Sequence, residues 1–145
     1  LHTSGKGRFT VINKKPLFIV DGAHNAGAAD KMAESIRHYF NGKKLIYIMG
    51  VFADKEYKIV LEKTAHFAEK IYTIETPDNP RALPAEELAK AARVYNSSAE
   101  STKSIKDAVE KAFSCAGDDE NSVILAFGSL SFIGALTDAV EEYVG

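Results

Sequence analysis

Short apolar runs alternate along the chain with stretches whose apolar residues return every three or four positions. Arg8–Asn13 and Leu17–Val20 read as strands joined by Lys14-Lys15-Pro16. From about Asn25 to Phe40, residues Ala29, Met32, Ala33, Ile36 and Phe40 recur at helical spacing, and Asn41-Gly42 stops the helix. Leu45–Met49 is apolar without alternation, which predicts a strand buried on both faces of a parallel sheet. A second helix is expected from about Lys55 to Ala68, with Val60, Leu61, Ala65 and Phe67 or Ala68 inward, followed by a strand over Ile71–Ile74. Pro84 stands where a helix over Ala85–Arg93 begins, and Val94-Tyr95 reads as a short edge strand. A helix over Ser104–Cys115, a polar turn over Gly117–Asn121 and a strand over Ser122–Phe127 come next. The closing helix, Phe132–Val144, places Ile133, Leu136, Val140 and Tyr143 or Val144 on one face.

This order predicts an α/β fold, a mostly parallel sheet with helices on both faces and right-handed crossovers. The first two strands are joined too tightly for a parallel crossover, so the first is expected to be antiparallel. There is no internal repeat, low-complexity tract or linker, so residues 1–145 are expected to form a single domain.

Between the strand Leu17–Val20 and its helix stands Asp21-Gly22-Ala23-His24-Asn25. A carboxylate, a glycine, an imidazole and an amide thus share one turn at the carboxyl end of a strand, where open α/β sheets bind ligands. The helix opening there offers free N–H groups and partial positive charge, which suit an anion such as phosphate. Asn25 can cap the helix, and Gly22 permits a tight turn or a close approach of ligand to backbone. A plain capped turn with an exposed histidine is the competing explanation of the same five residues.

Composition narrows the function classes. Hydrophobic residues make up 46% and charged residues 26%, an ordinary globular balance, and the net charge of −2 gives no footprint for nucleic acid or an anionic membrane. One cysteine excludes an internal disulfide framework; Cys115 falls in register with Ile105, Ala108, Val109 and Ala112, so it is expected to be a buried core thiol. No apolar run approaches the ~20 residues of a membrane-spanning helix, and no signal peptide is expected. The first residue is Leu rather than Met, which suggests a domain of a longer cytoplasmic protein.

Neither GxxxxGKS/T nor GxGxxG occurs, nor a GxSxG elbow, and the histidines His2, His24, His38 and His66 share no metal-binding spacing. Taken alone, the chain lacks the parts for phosphoryl transfer or hydrolysis and supplies one wall of a site.

Several segments agree, in order, with one family. Gly7-Arg8-Phe9 resembles the end of its PGR motif, with Gly5-Lys6 in place of Trp-Pro. Asp21–Asn25 matches its DGAHN motif, with Ala26 where proline is frequent. Gly50–Tyr57 resembles its G…DKD loop with Glu56 for the second Asp, and Asp78–Ala82 resembles its NPR loop. Gly128–Gly134 resembles its GSLYFIG motif with Ser131 for Tyr. The chain therefore resembles the C-terminal domain of the Mur ligase superfamily, most closely the branch of folylpolyglutamate and dihydrofolate synthases.

The resemblance implies a Rossmann-like three-layer αβα sandwich within a monomeric, cytoplasmic ligase whose N-terminal and central ATPase domains are absent from this chain. ATP and Mg would be held mainly by the central domain, with no metal ligand here. ATP would phosphorylate a carboxylate of folate or dihydropteroate, and the amine of L-glutamate would attack the acyl phosphate; neither nucleic acid nor membrane takes part. By the same resemblance Arg8 contacts the ATP phosphates, Asp21 the ribose, and Asn25 belongs to the ATP side. His24, the candidate catalytic residue, lies near the phosphates or the acyl phosphate as a donor or an electrostatic group. Lys55, Ser129 and Ser131 hold the incoming glutamate, and Arg81 faces the amino-acid pocket. Solvated or helix-capping roles remain the alternatives for these residues. For the whole chain, the alternatives are another Mur-type amino-acid ligase, or a stand-alone nucleotide-binding or interaction module.

Overall fold

In β3, Lys44–Met49, the side chains of Leu45, Tyr47 and Met49 enter one core, and those of Ile46 and Ile48 enter another. A strand sends successive side chains to opposite faces, so an unbroken apolar run demands cover on both. The same split holds in β2, Leu17–Val20, where Ile19 opposes Phe18 and Val20, and in β6, Ser122–Phe127, where Leu125 and Phe127 oppose Ile124 and Ala126. These three strands form the centre of the sheet in a computed structural model that describes residues 9–54 and 56–145. Arg8 and Lys55 lie outside the described residues.

Around that centre the sheet runs β1-β2-β6-β3-β4-β5, where β1 is Thr10–Lys14, β4 is Lys70–Thr73 and β5 is Glu100–Ser101. β1 is antiparallel to β2 and all other pairings are parallel, as expected from the short connection. Helices α1, Ala26–Tyr39, α2, Glu56–Thr64, and α3, Ala85–Ala92, cover one face through Met32, Ile36, Val60, Leu61 and Leu88. α4, Ile105–Ala116, and α5, Ile133–Val144, cover the other through Val109, Phe113, Leu136 and Val140. Asn25 and Ser104 open α1 and α4 as N-caps, accepting the Ala28 and Asp107 N–H groups at 2.9 and 3.0 Å. The result is the three-layer sandwich of the Rossmann-like class. Among the described residues no helix is long and apolar enough to cross a membrane.

The edge of the sheet differs from expectation. Val94-Tyr95 forms no strand, because the N–H groups of Val94, Tyr95 and Asn96 are taken by the Ala91 and Ala92 carbonyls at the end of α3. Both side chains are exposed, and the edge strand is instead β5, paired with Tyr72 and Thr73. The second helix ends at Thr64, whose hydroxyl donates to the Val60 carbonyl, and a 3-10 turn over Ala65–Phe67 completes it. Tyr143 and Val144 are exposed rather than inward, although the Tyr143 ring stacks on Phe113 at 4.5 Å. Cys115 is half-buried beside the α4–α5 core rather than inside it.

Glu100 of β5 takes Lys70 Nζ at 2.8 Å and Lys111 Nζ at 3.0 Å. The hydrogen bonds from Lys70 and then Lys111 hold its carboxyl below the ordinary value of 4.5. A depressed folded-state value adds stability above the unfolded value and loses it as the pH falls through the folded one. Glu100 is partly exposed, so solvent screening limits the contribution to about 0.5 kcal/mol. Glu100→Gln should therefore lower stability at neutral pH by that amount and leave it unchanged at pH ~2, as read by urea denaturation at both pH values.

Candidate functional site

β6 lies between β2 and β3, yet the chain leaves β2 and β3 toward the α1–α3 face and leaves β6 toward the α5 face. The loops part at this switch of direction and open a cleft at the carboxyl ends of the strands. It encloses about 230 Å³. His24 reaches it from the turn after β2, Phe52, Asp54 and Tyr57 from the segment after β3, and Ser129 and Ser131 from the turn after β6.

The walls are held close by the absence of side chains. Gly128 has φ +120°, and a Cβ there would stand 2.3 Å from the Gly50 carbonyl oxygen. A Cβ on Gly50 would in turn meet Ile74 Cδ1 at 2.5 Å. The turns after β3 and β6 thus touch backbone to backbone, which only glycine permits.

Ser129 is buried, and its Oγ lies 2.8 Å from Ser131 Oγ while accepting the Ser131 N–H at 3.2 Å. The two hydroxyls present one polar corner of the cleft. His24 is exposed, and its Nδ1 lies 2.9 Å from the Gly22 carbonyl. A carbonyl only accepts, so Nδ1 is the donor in this hydrogen bond, and Nε2 is left for a ligand. Asp21 is buried, and its backbone N–H extends the β2–β6 ladder by donating to Ala126 O at 2.9 Å.

The N-terminus of α1 is not open to an anion in the way the sequence suggests. Asn25 Oδ1 takes the Ala28 N–H, and Glu56 Oε1 takes the Ala26 N–H at 3.0 Å. The Glu56 carboxylate supplies from within the chain the negative charge that a helix start favours. Its own N–H donates to Asp54 Oδ1 at 2.9 Å. Glu56 therefore ties the turn after β2 to the segment after β3. Sequence reasoning missed this role; the one available signal was its place as the second acidic residue of the G…DKD-like loop.

Arg81 does not line the cleft. Its guanidinium stacks at 4.7 Å over the Phe52 ring, whose residue does line it. Backbone pairing holds the two loops together, with Ala53 N–H donating to Arg81 O at 2.7 Å and a bridge between Phe52 and Ala82. The structure thus brings His24, Ser129 and Ser131 together at one cleft, and Asp21 and Asn25 are not among the residues that line it. Lys55 is flanked in sequence by Asp54, which lines the cleft, and Glu56, which braces it. Among the described residues, no three His, Cys, Asp or Glu side chains cluster as a metal site.

An open α/β sheet with a cleft at its switch point is the architecture in which domains of the doubly wound class bind ligands. The chain belongs to the Mur ligase glutamate ligase domain family, which matches residues 7–130. Dihydrofolate synthase/folylpolyglutamate synthase of Bacillus subtilis (strain 168) is 28% identical over 127 residues, 88% of this chain and 28% of that protein. Mycobacterium tuberculosis folylpolyglutamate synthase complexed with ADP and AMPPCP has a TM-score of 0.75 at 24% identity, over 95% of this chain and 31% of that one. A bifunctional folylpolyglutamate synthase/dihydrofolate synthase with Mn, AMPPNP and L-glutamate bound has a TM-score of 0.77 at 25% identity, over 95% of this chain and 32% of that one. The chain spans about a third or less of the relatives it matches.

Proposed function

We propose that this domain is the glutamate-handling part of an ATP-dependent ligase that adds L-glutamate to folate, to dihydropteroate or to both. The observation that carries this reading is the convergence of three family segments, DGAHN, the G…DKD-like loop and the GSLYFIG-like turn, on one cleft. At about 230 Å³ the cleft falls below the ~300–1,000 Å³ of sites for drug-sized ligands, and so suits a single amino acid.

In this reading the γ-phosphoryl group of ATP passes to a carboxylate of the acceptor, giving an acyl phosphate and ADP. The glutamate amine attacks the acyl carbon, phosphate leaves, and a proton is released. Ser129, Ser131 and Lys55 hold carboxylates of the glutamate, and Arg81 steadies their wall through Phe52. Arg8 and Asp21 serve the nucleotide, and His24 stands between the two reactants. Asn25 acts on the nucleotide side through the turn it caps. Because Asn25 and Glu56 already occupy N–H groups at the start of α1, phosphate contacts fall to Arg8 and His24 rather than to the helix end. The sequence carries no P-loop motif, so the triphosphate and its Mg are assigned to a P-loop domain elsewhere in the polypeptide. The ligase is read as a cytoplasmic monomer, and the net charge of −2 supports the absence of a nucleic-acid partner.

The complete ligase should release ADP only when L-glutamate is present together with a reduced folate or dihydropteroate. Activity on a cell-wall precursor in their place would favour another Mur-type ligase. The isolated domain should not hydrolyse ATP and should bind it no tighter than millimolar, since the P-loop backbone, lysine and hydroxyl are missing. Micromolar ATP affinity by calorimetry would make it an independent nucleotide-binding module.

A further inference from the structure

We propose that the Asp54 carboxylate receives the α-ammonium group of the incoming amino acid. The inference rests on the glutamate ligase reading and adds to it the group that distinguishes an amino acid from a plain diacid. Glutamate brings two carboxylates and one ammonium to a site that must satisfy all three. Among the described residues that line the cleft, those with polar side chains are His24, Asp54, Tyr57, Ser129 and Ser131, and Asp54 is the one that carries a carboxylate. Hydroxyls donate to the carboxylates of the ligand. Among the described residues that line the cleft, only Asp54 offers the opposite charge to an ammonium.

Asp54 is also held in place before any ligand arrives. Its backbone N–H donates to Phe52 O at 2.8 Å, and its Oδ1 accepts the Glu56 N–H at 2.9 Å. Glu56 is braced in turn by the Ala26 N–H at 3.0 Å. The bond at Oδ1 uses one lone pair, and an ionised carboxylate has about four such sites, so capacity remains for an ammonium. A group fixed by its neighbours loses little freedom when it binds, which is the condition for strong selection.

The test uses the complete ligase with L-glutamate as substrate and glutarate, the same diacid without the amine, as competitive inhibitor. Asp54→Asn keeps an oxygen to accept the Glu56 N–H and removes the charge. It should raise KM for glutamate roughly ten- to hundredfold, the scale of one lost charge-assisted contact, and leave glutarate inhibition unchanged or tighter. Asp54→Ser, which also retains an oxygen acceptor, should lose the same preference for glutamate over glutarate. Unfolding midpoints of both variants report on folding. Equal weakening of glutamate and glutarate would reduce Asp54 to a helix cap and overturn the proposal, as would an unchanged KM for glutamate. A wild-type ligase that discriminates against other amino acids but does not consume glutamate would overturn the functional reading itself, and this inference with it.

Discussion

Replacing Gly128 by alanine is expected to destabilise the domain by about 3 kcal/mol, at the upper end of the cost of a strained backbone site. Two penalties coincide. The φ of +120° is one that L-residues rarely adopt, and the new methyl would stand 2.3 Å from the Gly50 carbonyl oxygen. That neighbour is backbone, itself pinned by the Gly50 N–H to Phe127 O bond, so it cannot swing aside like a side chain. Gly134 provides the contrast. It lies in α5, and a Cβ there would meet nothing within 4 Å, so Gly134→Ala should be neutral or stabilising by about 0.5 kcal/mol. Denaturation midpoints of the two variants should move in opposite directions or differ widely. Equal midpoints would show that the turns after β3 and β6 are not locked together.

In the complete ligase, Lys55→Met should raise KM for glutamate roughly ten- to hundredfold, the effect of losing a charge-assisted contact worth ~1.5–3 kcal/mol. The KM values for ATP and folate should stay near wild type. The expectation rests on the sequence position of Lys55 between Asp54, at the cleft, and Glu56, braced against α1. A folding defect would reduce all three affinities together, so selectivity is the decisive readout. A pure kcat loss with glutamate KM unchanged would take Lys55 out of the glutamate site. With Asp54→Asn, the experiment distinguishes two neighbours of opposite charge, one expected to hold a carboxylate and the other the ammonium.

The elements most legible in the sequence were those whose burial leaves a periodic mark. Leu17–Val20 and Ser122–Phe127 have the bounds expected from their apolar runs, and Asn25 and Ser104 stand where the capped helices start. Apolarity misled at Val94-Tyr95, where local hydrogen bonds to the end of α3 outcompeted pairing with the sheet. The insertion of β6 between β2 and β3 leaves no local trace, because strand order is decided by which faces the crossovers cover. The convergence of His24, Ser129 and Ser131 depends on that order, so motifs named the residues but not their meeting point. Glu56 was hardest to foresee. Its partner Ala26 lies 30 positions away, and its acidic side chain on a helix start looks like any first-turn glutamate.

The strand order also sets what another polypeptide would meet at the rims of this fold. On one side β5 offers only two residues, and its Glu100 is already engaged by two lysines. On the other, β1 carries an irregularity between Val11 and Asn13 and ends at Lys14, with Lys15 almost fully solvated beyond it. Short, kinked and charged rims are how sheets avoid growing by capture of a neighbour's backbone. A chain seeking to extend this ladder would find two rungs at one rim and a bent, lysine-guarded rail at the other, so the most apolar strands stay sealed at the centre, out of reach of templated aggregation.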